Sequence, residues 1–210
     1  MQIAVFTFNP FGENTYIIYD ETREAVIVDP GNYGKDEDNR LESFIESEQL
    51  VPKWIANTHA HVDHVLGVSF AKRRWGIPFV LHRTEEPILR SVKVYAPHYG
   101  FVHYQEPEVD QWFEEGDEIT FGETTLEILF VPGHAPGHVA FYHAPSKTLI
   151  AGDVLFRESI GRTDLPGGDH PTLLRSIREK IFVLPEEVTV YPGHGPSTTV
   201  GHEKKYNPFF

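Results

Sequence analysis

Cysteine is absent from all 210 residues. That excludes disulfides, thiolate zinc sites, iron–sulfur clusters and a cysteine nucleophile, so any bound metal must be held by nitrogen and oxygen. Positive charge is scarce, with 18 Lys and Arg against 31 Asp and Glu and a net charge of −13. Phosphate binding needs clustered basic side chains, which argues against a nucleic-acid or anionic-membrane partner. Long apolar runs are missing, and the first basic side chain is Arg23, so Met1 to Asp20 lacks the basic start of a secretory signal. The expectation is a soluble, cytoplasmic protein. Low-complexity sequence is missing too, and 40% hydrophobic and 13% aromatic residues are enough for a packed core in one domain spanning 1–210.

What the chain does have is histidine, 12 in all, distributed over a pattern of short strands. Ile3, Val5 and Phe8, then Tyr16-Ile17-Ile18-Tyr19 and Ala25-Val26-Ile27-Val28, read as a meandering sheet. Leu41, Phe44 and Ile45 fit one face of an amphipathic helix. Further helices are predicted over Val65 to Trp75 and Thr84 to Tyr95. A last helix opens at Pro171 and places Leu174, Ile177, Ile181 and Leu184 on one face. Strands are predicted at Trp54-Ile55-Ala56, Pro78 to Leu81, Val139 to Tyr142, Thr148 to Ile150 and Val188 to Tyr191, with a hairpin from Ile119 to Val131 turning at Gly122-Glu123 and a Gly/Pro-rich tail.

Several of these apolar runs stop in turns that carry a His or Asp: Val28-Asp29-Pro30-Gly31, Asn57-Thr58-His59, Val131-Pro132-Gly133-His134, Ala151-Gly152-Asp153 and Tyr191-Pro192-Gly193-His194. Strand ends are where ligand groups of layered α/β proteins converge, so the pattern suggests one shared site. Its strongest part is His59-Ala60-His61-Val62-Asp63-His64. Two histidines one residue apart on an extended loop can face one ion, while Asp63 and His64 turn toward a neighbouring ion as a helix begins. With His134, Asp153 and His194 the inventory reaches five His and two Asp, which with a water oxygen suffices for two adjacent ions. Asp153 is the expected bridge, since its two oxygens can reach ions about 3.5–4 Å apart. Zinc is the first expectation, and iron or manganese also suits an all-N/O donor set.

Thr58 to His64, with His134, Asp153 and His194, strongly resembles the metallo-β-lactamase-fold hydrolases. Asn9-Pro10-Phe11 to Asn14-Thr15-Tyr16, Val28 to Gly31, Gly161-Arg162-Thr163-Asp164 and Gly193-His194-Gly195-Pro196 through Asn207-Pro208-Phe209 are most similar to short, single-domain bacterial members of the glyoxalase II (hydroxyacylglutathione hydrolase) branch. The resemblance implies an α/β fold of the αββα sandwich type. It implies His59, His61, His134 and Asp153 on one ion, Asp63, His64, Asp153 and His194 on the other, and Asp29 supporting the ligand loop. It also implies that Arg162 contacts a carboxylate of glutathione; the plain alternative is a surface ion pair with Asp164 or Asp169. Typical glyoxalase II enzymes continue into a helical region with further glutathione contacts, whereas this sequence ends at Phe210. The segment from His82 to Trp112 carries Tyr95, His98, Tyr99, Phe101, His103 and Tyr104, and can serve as an aromatic substrate wall or as a packed flap.

The implied chemistry is hydrolysis of a small-molecule thioester, such as a glutathione thioester, by attack of a metal-bridging hydroxide, with Asp63 holding or relaying a proton. The rival is a mononuclear iron persulfide dioxygenase. Lactonase or other ester or phosphodiester hydrolysis, and a non-enzymatic metal-stabilised domain, are the further alternatives.

Overall fold

The computed structural model describes all 210 residues. They fall into two compact units, Met1–Phe113 with Thr120–Thr124, and Glu114–Ile119 with Thr125–Phe210.

In the first unit the chain runs through β1 (Gln2–Phe8), β2 (Glu13–Tyr19), β3 (Glu24–Val28), α1 (Lys35–Ser47), β4 (Val51–Ala56), α2 (Val62–Val65), α3 (Val68–Trp75), β5 (Phe79–His82), a 3₁₀ turn (Arg83–Glu85), α4 (Glu86–Tyr95) and β6 (Gln111–Phe113). The strands form one six-stranded sheet in chain order. β1, β2 and β3 pair antiparallel, as tight turns between them allow, and β3 to β6 pair parallel because a helical crossover separates each from the next. Alternate residues Phe8, Ile17, Tyr19, Ala25, Ile27, Ile55, Phe79 and Leu81 join Leu41 and Ile45 of α1, Val68 and Ala71 of α3, and Leu89 and Val92 of α4 in one core. The strand meander, α1 and α4 appear where the hydrophobic spacing put them, with α1 starting earlier, at Lys35, and a 3₁₀ turn opening the helix expected from Thr84.

The helix expected over Val65 to Trp75 is instead two helices broken at Leu66-Gly67. The Gly67 amide donates to Pro30 O at 2.7 Å, and a Cβ on Gly67 would lie 2.0 Å from Asn32 Oδ1. Close approach of this backbone to the Pro30–Asn32 turn thus bends the chain between the ligand-bearing turn and α3.

The second unit contains β7 (Glu118–Phe121), whose first residues belong to it, β8 (Thr124–Phe130), β9 (Val139–His143), β10 (Thr148–Gly152), a small β11 (Leu155–Phe156) and β12 (Ser159–Ile160) ribbon, α5 (His170–Ser176), β13 (Thr189–Pro192), β14 (Thr198–Thr199) and α6 (Val200–Tyr206). Its sheet order is β14-β13-β10-β9-β8-β7, with β10 and β13 parallel. Val131, Ala140, Leu149, Ala151 and Val190 pack with Leu173, Ile177, Ile181 and Val200.

Two expectations change here. The last predicted helix becomes α5 followed by a π-helical turn over Ile177–Ile181, closed by Phe182 N donating to Ile177 O at 2.8 Å. The extra residue in that turn rotates the buried face, so Leu173, Ile177 and Ile181 are fully buried while Leu174 and Leu184 lie at its edge. The tail is not all loop, since Thr199 caps α6 by accepting from His202 N.

Candidate metal centre

In the first unit, parallel pairing places the end of β3 beside the end of β4, with Val28 opposite Ala56. The next residue, Asp29, adopts φ +48, a left-handed conformation that Asp tolerates better than most residues. Its buried carboxylate accepts from Thr58 N at 2.7 Å, Thr58 Oγ1 at 2.6 Å and His64 Nδ1 at 3.1 Å. With its proton given to Asp29, the Thr58 hydroxyl can only accept from His59 Nδ1, 3.0 Å away. One aspartate thereby fixes two tautomers: Nδ1–H on both His59 and His64, leaving each Nε2 as the lone-pair donor. Asp29, His59 and His64 also bring three donor atoms within 4.8 Å of one another. Because Asp29 is already saturated with donors, it supports the ligands rather than joining them.

The rest of the loop is pinned by its main chain. Asn57 Nδ2 donates to His64 O at 2.7 Å, Asn9 Nδ2 to Asp63 O at 3.0 Å and to Gly31 O at 2.9 Å, and Glu85 Oε2 accepts from Ala60 N at 2.9 Å. Below it, Thr15 Oγ1 lies 2.9 Å from both Glu13 Oε2 and Asp29 O. Burial pushes the Glu13 carboxyl well above the usual carboxylate range, against the lowering effect of His64. His59 and His61 present rings 4.7 Å apart, and His64 Nε2 lies 3.7 Å from Asp63 Oδ2.

In the second unit, β10 and β13 run parallel and release Asp153 and His194 at the same sheet edge, where Gly193 N donates to Gly152 O at 2.8 Å. His134 follows β8, and its Nδ1 is 2.8 Å from Arg162 O. A carbonyl can only accept, so Nδ1 carries the proton and Nε2 again carries the lone pair. His134 Nε2 and His194 Nε2 lie 3.6 Å and 3.5 Å from the same oxygen, Asp153 Oδ2. Asp153 N donates to His138 Nε2 at 3.0 Å. Gly161 leaves no room for a side chain, since a Cβ would lie 1.9 Å from Asp153 O and 3.1 Å from His134 Nδ1.

These separations test whether the residues suit a metal. Distances of 3.5–3.7 Å between imidazole nitrogen and carboxylate oxygen are too long for hydrogen bonds. They are close to the spacing of two ligands at a tetrahedral angle around an ion about 2.0–2.1 Å from each, which is about 3.4 Å. Imidazoles whose tautomers are fixed at His59, His64 and His134, and a carboxylate in each unit, are donors that suit a divalent ion.

The first unit therefore assembles His59, His61, Asp63 and His64 on the support of Asp29, and the second gathers His134 and His194 around Asp153. Arg162 contributes its carbonyl to His134, while its guanidinium forms a fork onto Asp164 at 2.7 and 2.8 Å, with both side chains mostly exposed. That hydrogen-bonded pairing holds the Asp164 carboxyl at about 2. Asp169 instead caps α5 by accepting from Thr172 N. In the segment from His82 to Trp112, Phe101 is buried and packs on Tyr33 and Phe11, whereas His98, Tyr99 and His103 are exposed. Leu89, Val92 and Phe101 anchor the segment in the core of the first unit, and its exposed side chains face solvent. Sequence reasoning missed His138, Glu85, Asn57 and Asn9. His138 offered one signal, its place four residues after His134.

The sequence profile of the Metallo-beta-lactamase superfamily matches residues 8–194. Hydroxyacylglutathione hydrolase GloC of Haemophilus influenzae is 36% identical, over 100% of this chain and 98% of its own. Probable metallo-hydrolase YqgX of Bacillus subtilis is 38% identical, over 95% and 93%. Among solved structures, TTHA1623 in a di-iron-bound form superposes with a TM-score of 0.88 at 36% identity, over 99% of this chain and 100% of that one. The BLEG-1 B3 metallo-beta-lactamase gives 0.86 at 37%, over 99% of each. ETHE1 from Myxococcus xanthus gives 0.82 at 25%, over 99% and 84%.

Proposed function

Because the chain belongs to the Metallo-beta-lactamase superfamily, whose fold covers its whole length, we propose that its two half-sets of ligands serve one dinuclear centre that hydrolyses a small-molecule thioester carried on glutathione. His59, His61 and His134 would hold one ion and Asp63, His64 and His194 the other, with Asp153 available to both. The observation that carries this reading is Asp153 Oδ2 held equally between His134 and His194. When bound, two divalent ions would supply Lewis acidity, making water a nucleophile near neutral pH and polarising a substrate carbonyl. Zinc is the first choice of ion, and the di-iron form of TTHA1623 supports iron as well.

The chain's own residues do the rest. Asp29, directly and through Thr58, keeps His64 and His59 in the tautomer that leaves the lone pair on Nε2. Arg162 O does the same for His134. The His138 ring holds the Asp153 amide, which sets the direction of the bridging carboxylate. Asp63 can take a proton at its carboxylate as substrate enters. A departing thiolate needs little protonation, so no separate general acid is required. The Arg162 fork, paired with Asp164, matches a carboxylate and can exchange that partner for one on glutathione. GloC's name supports this choice of substrate.

The second reading, a mononuclear iron persulfide dioxygenase, is compatible with the likeness to ETHE1. Metal-replete protein given S-lactoylglutathione decides between them: thiol release is expected, with no oxygen uptake on glutathione persulfide. Oxygen uptake without thioester turnover overturns the proposal, and turnover of lactones or β-lactams alone moves the substrate class.

A further inference from the structure

Resting on that metal centre, we propose that α4 straps the ligand loop, with Glu85 at one end and Tyr95 at the other acting as positioning residues for His61 and Asp63. Glu85 closes the 3₁₀ turn before α4, is fully buried, and accepts from Ala60 N at 2.9 Å. Tyr95 is the last residue of α4, and its hydroxyl is hydrogen-bonded to the backbone of Val62, an interaction that lowers the phenol's pKa as an N–H donor does. Ala60 and Val62 flank His61, so the amides on either side of this ligand are both held by one helix.

The arrangement answers a local need. α2 is a single turn, Val62–Val65, with no side-chain cap, and the first amides of a helix have no partner within it. Tyr95 supplies the acceptor that Val62 lacks. Ten helical residues span about 15 Å, whereas amides two residues apart lie within about 7 Å of each other. Both side chains therefore converge from the ends of α4 onto the loop. The helix between them is rigidly seated through Leu89 and Val92, which are buried in the core of the first unit. Burial, followed by the charge of neighbouring Asp63, pushes the Tyr95 phenol up to about 12.

The test uses the full-length protein loaded with zinc and a chromophoric chelator as competitor, so that ion retention is read apart from turnover. Glu85→Ala and Tyr95→Phe are expected to lose about 10–100-fold in retention. Glu85→Gln recovers most of it, because the amide oxygen still accepts from Ala60. Arg90→Ala, on the exposed face of α4, leaves retention unchanged. Melting of the metal-stripped variants within a few degrees of wild type shows that positioning, not folding, was lost. If Glu85→Ala does not fold, Tyr95→Phe decides. Wild-type retention in Glu85→Ala and Tyr95→Phe, or a Glu85→Gln as weak as Glu85→Ala, overturns the strap while leaving the metal centre standing. A wild-type protein that retains no ion overturns the metal centre and the strap with it.

Discussion

Changing Asp29 to Asn keeps the side chain's size but turns one acceptor into a donor. Thr58 N still finds an oxygen, but the new NH2 faces Thr58 Oγ1 and His64 Nδ1, at 2.6 and 3.1 Å. The hydroxyl can rotate to accept. His64 can adapt only by moving its proton to Nε2, the atom assigned to the ion. Hydrogen bonds to a charged group are worth about 1.5–3 kcal/mol each, so losing two with partial relief by rotation lowers stability by roughly 2–4 kcal/mol. Loss of the supporting carboxylate costs a further factor of about 10–100 in metal affinity. Urea unfolding of metal-free protein reads the first quantity and chelator competition the second. An Asp29→Asn protein with wild-type zinc retention would show that the tautomers of His59 and His64 are not set by Asp29, and would refute the reasoning.

Three further outcomes follow from the same geometry. Burial raises the Asp20 carboxyl, but hydrogen bonds from Thr22, Glu123 and Thr124 outweigh it and hold the group below its ordinary value. Its contribution is therefore complete above the unfolded pKa of about 3.9 and is lost as pH falls through the folded value; Asp20→Asn should be less stable than wild type at pH 7 and converge with it in acid, and a gap independent of pH in denaturant titrations would contradict this. Gly161→Ala forces a Cβ against Asp153 O, so thermal melts should show a loss of about 1–3 kcal/mol or more, together with reduced metal content. Arg162→Ala should raise KM for a glutathione thioester about 10-fold with little change in kcat, and an unchanged KM removes Arg162 from the substrate site.

The parts of this molecule that were legible in its sequence are those governed by short-range rules. Period-two and period-3.6 patterns located β2, β3, α1 and the Gly122 hairpin, and strands ending in Gly/Pro turns displayed Asp29, His59, His134, Asp153 and His194. Long-range contacts left no such trace. Glu85 looks like any helix-start carboxylate until the fold brings it to Ala60, and His138 becomes a support only when β10 delivers Asp153 to it. The π-turn at Ile177 defeated a spacing argument that presumes 3.6 residues per turn. α6 was hidden because Gly201 and two lysines dilute a helix anchored mainly by Val200 and the buried Glu203.

The central proposal is that His59, His61 and His134 serve one ion and Asp63, His64 and His194 another. Metal content per chain, measured by elemental analysis of protein purified without chelators, tests it most directly when wild type is compared with His134→Ala and with a His59→Ala/His61→Ala double variant. The account predicts two ions in the wild type and the loss of one, the same one, from either variant. A wild type with a single ion, or a His134→Ala protein that keeps both, would contradict it.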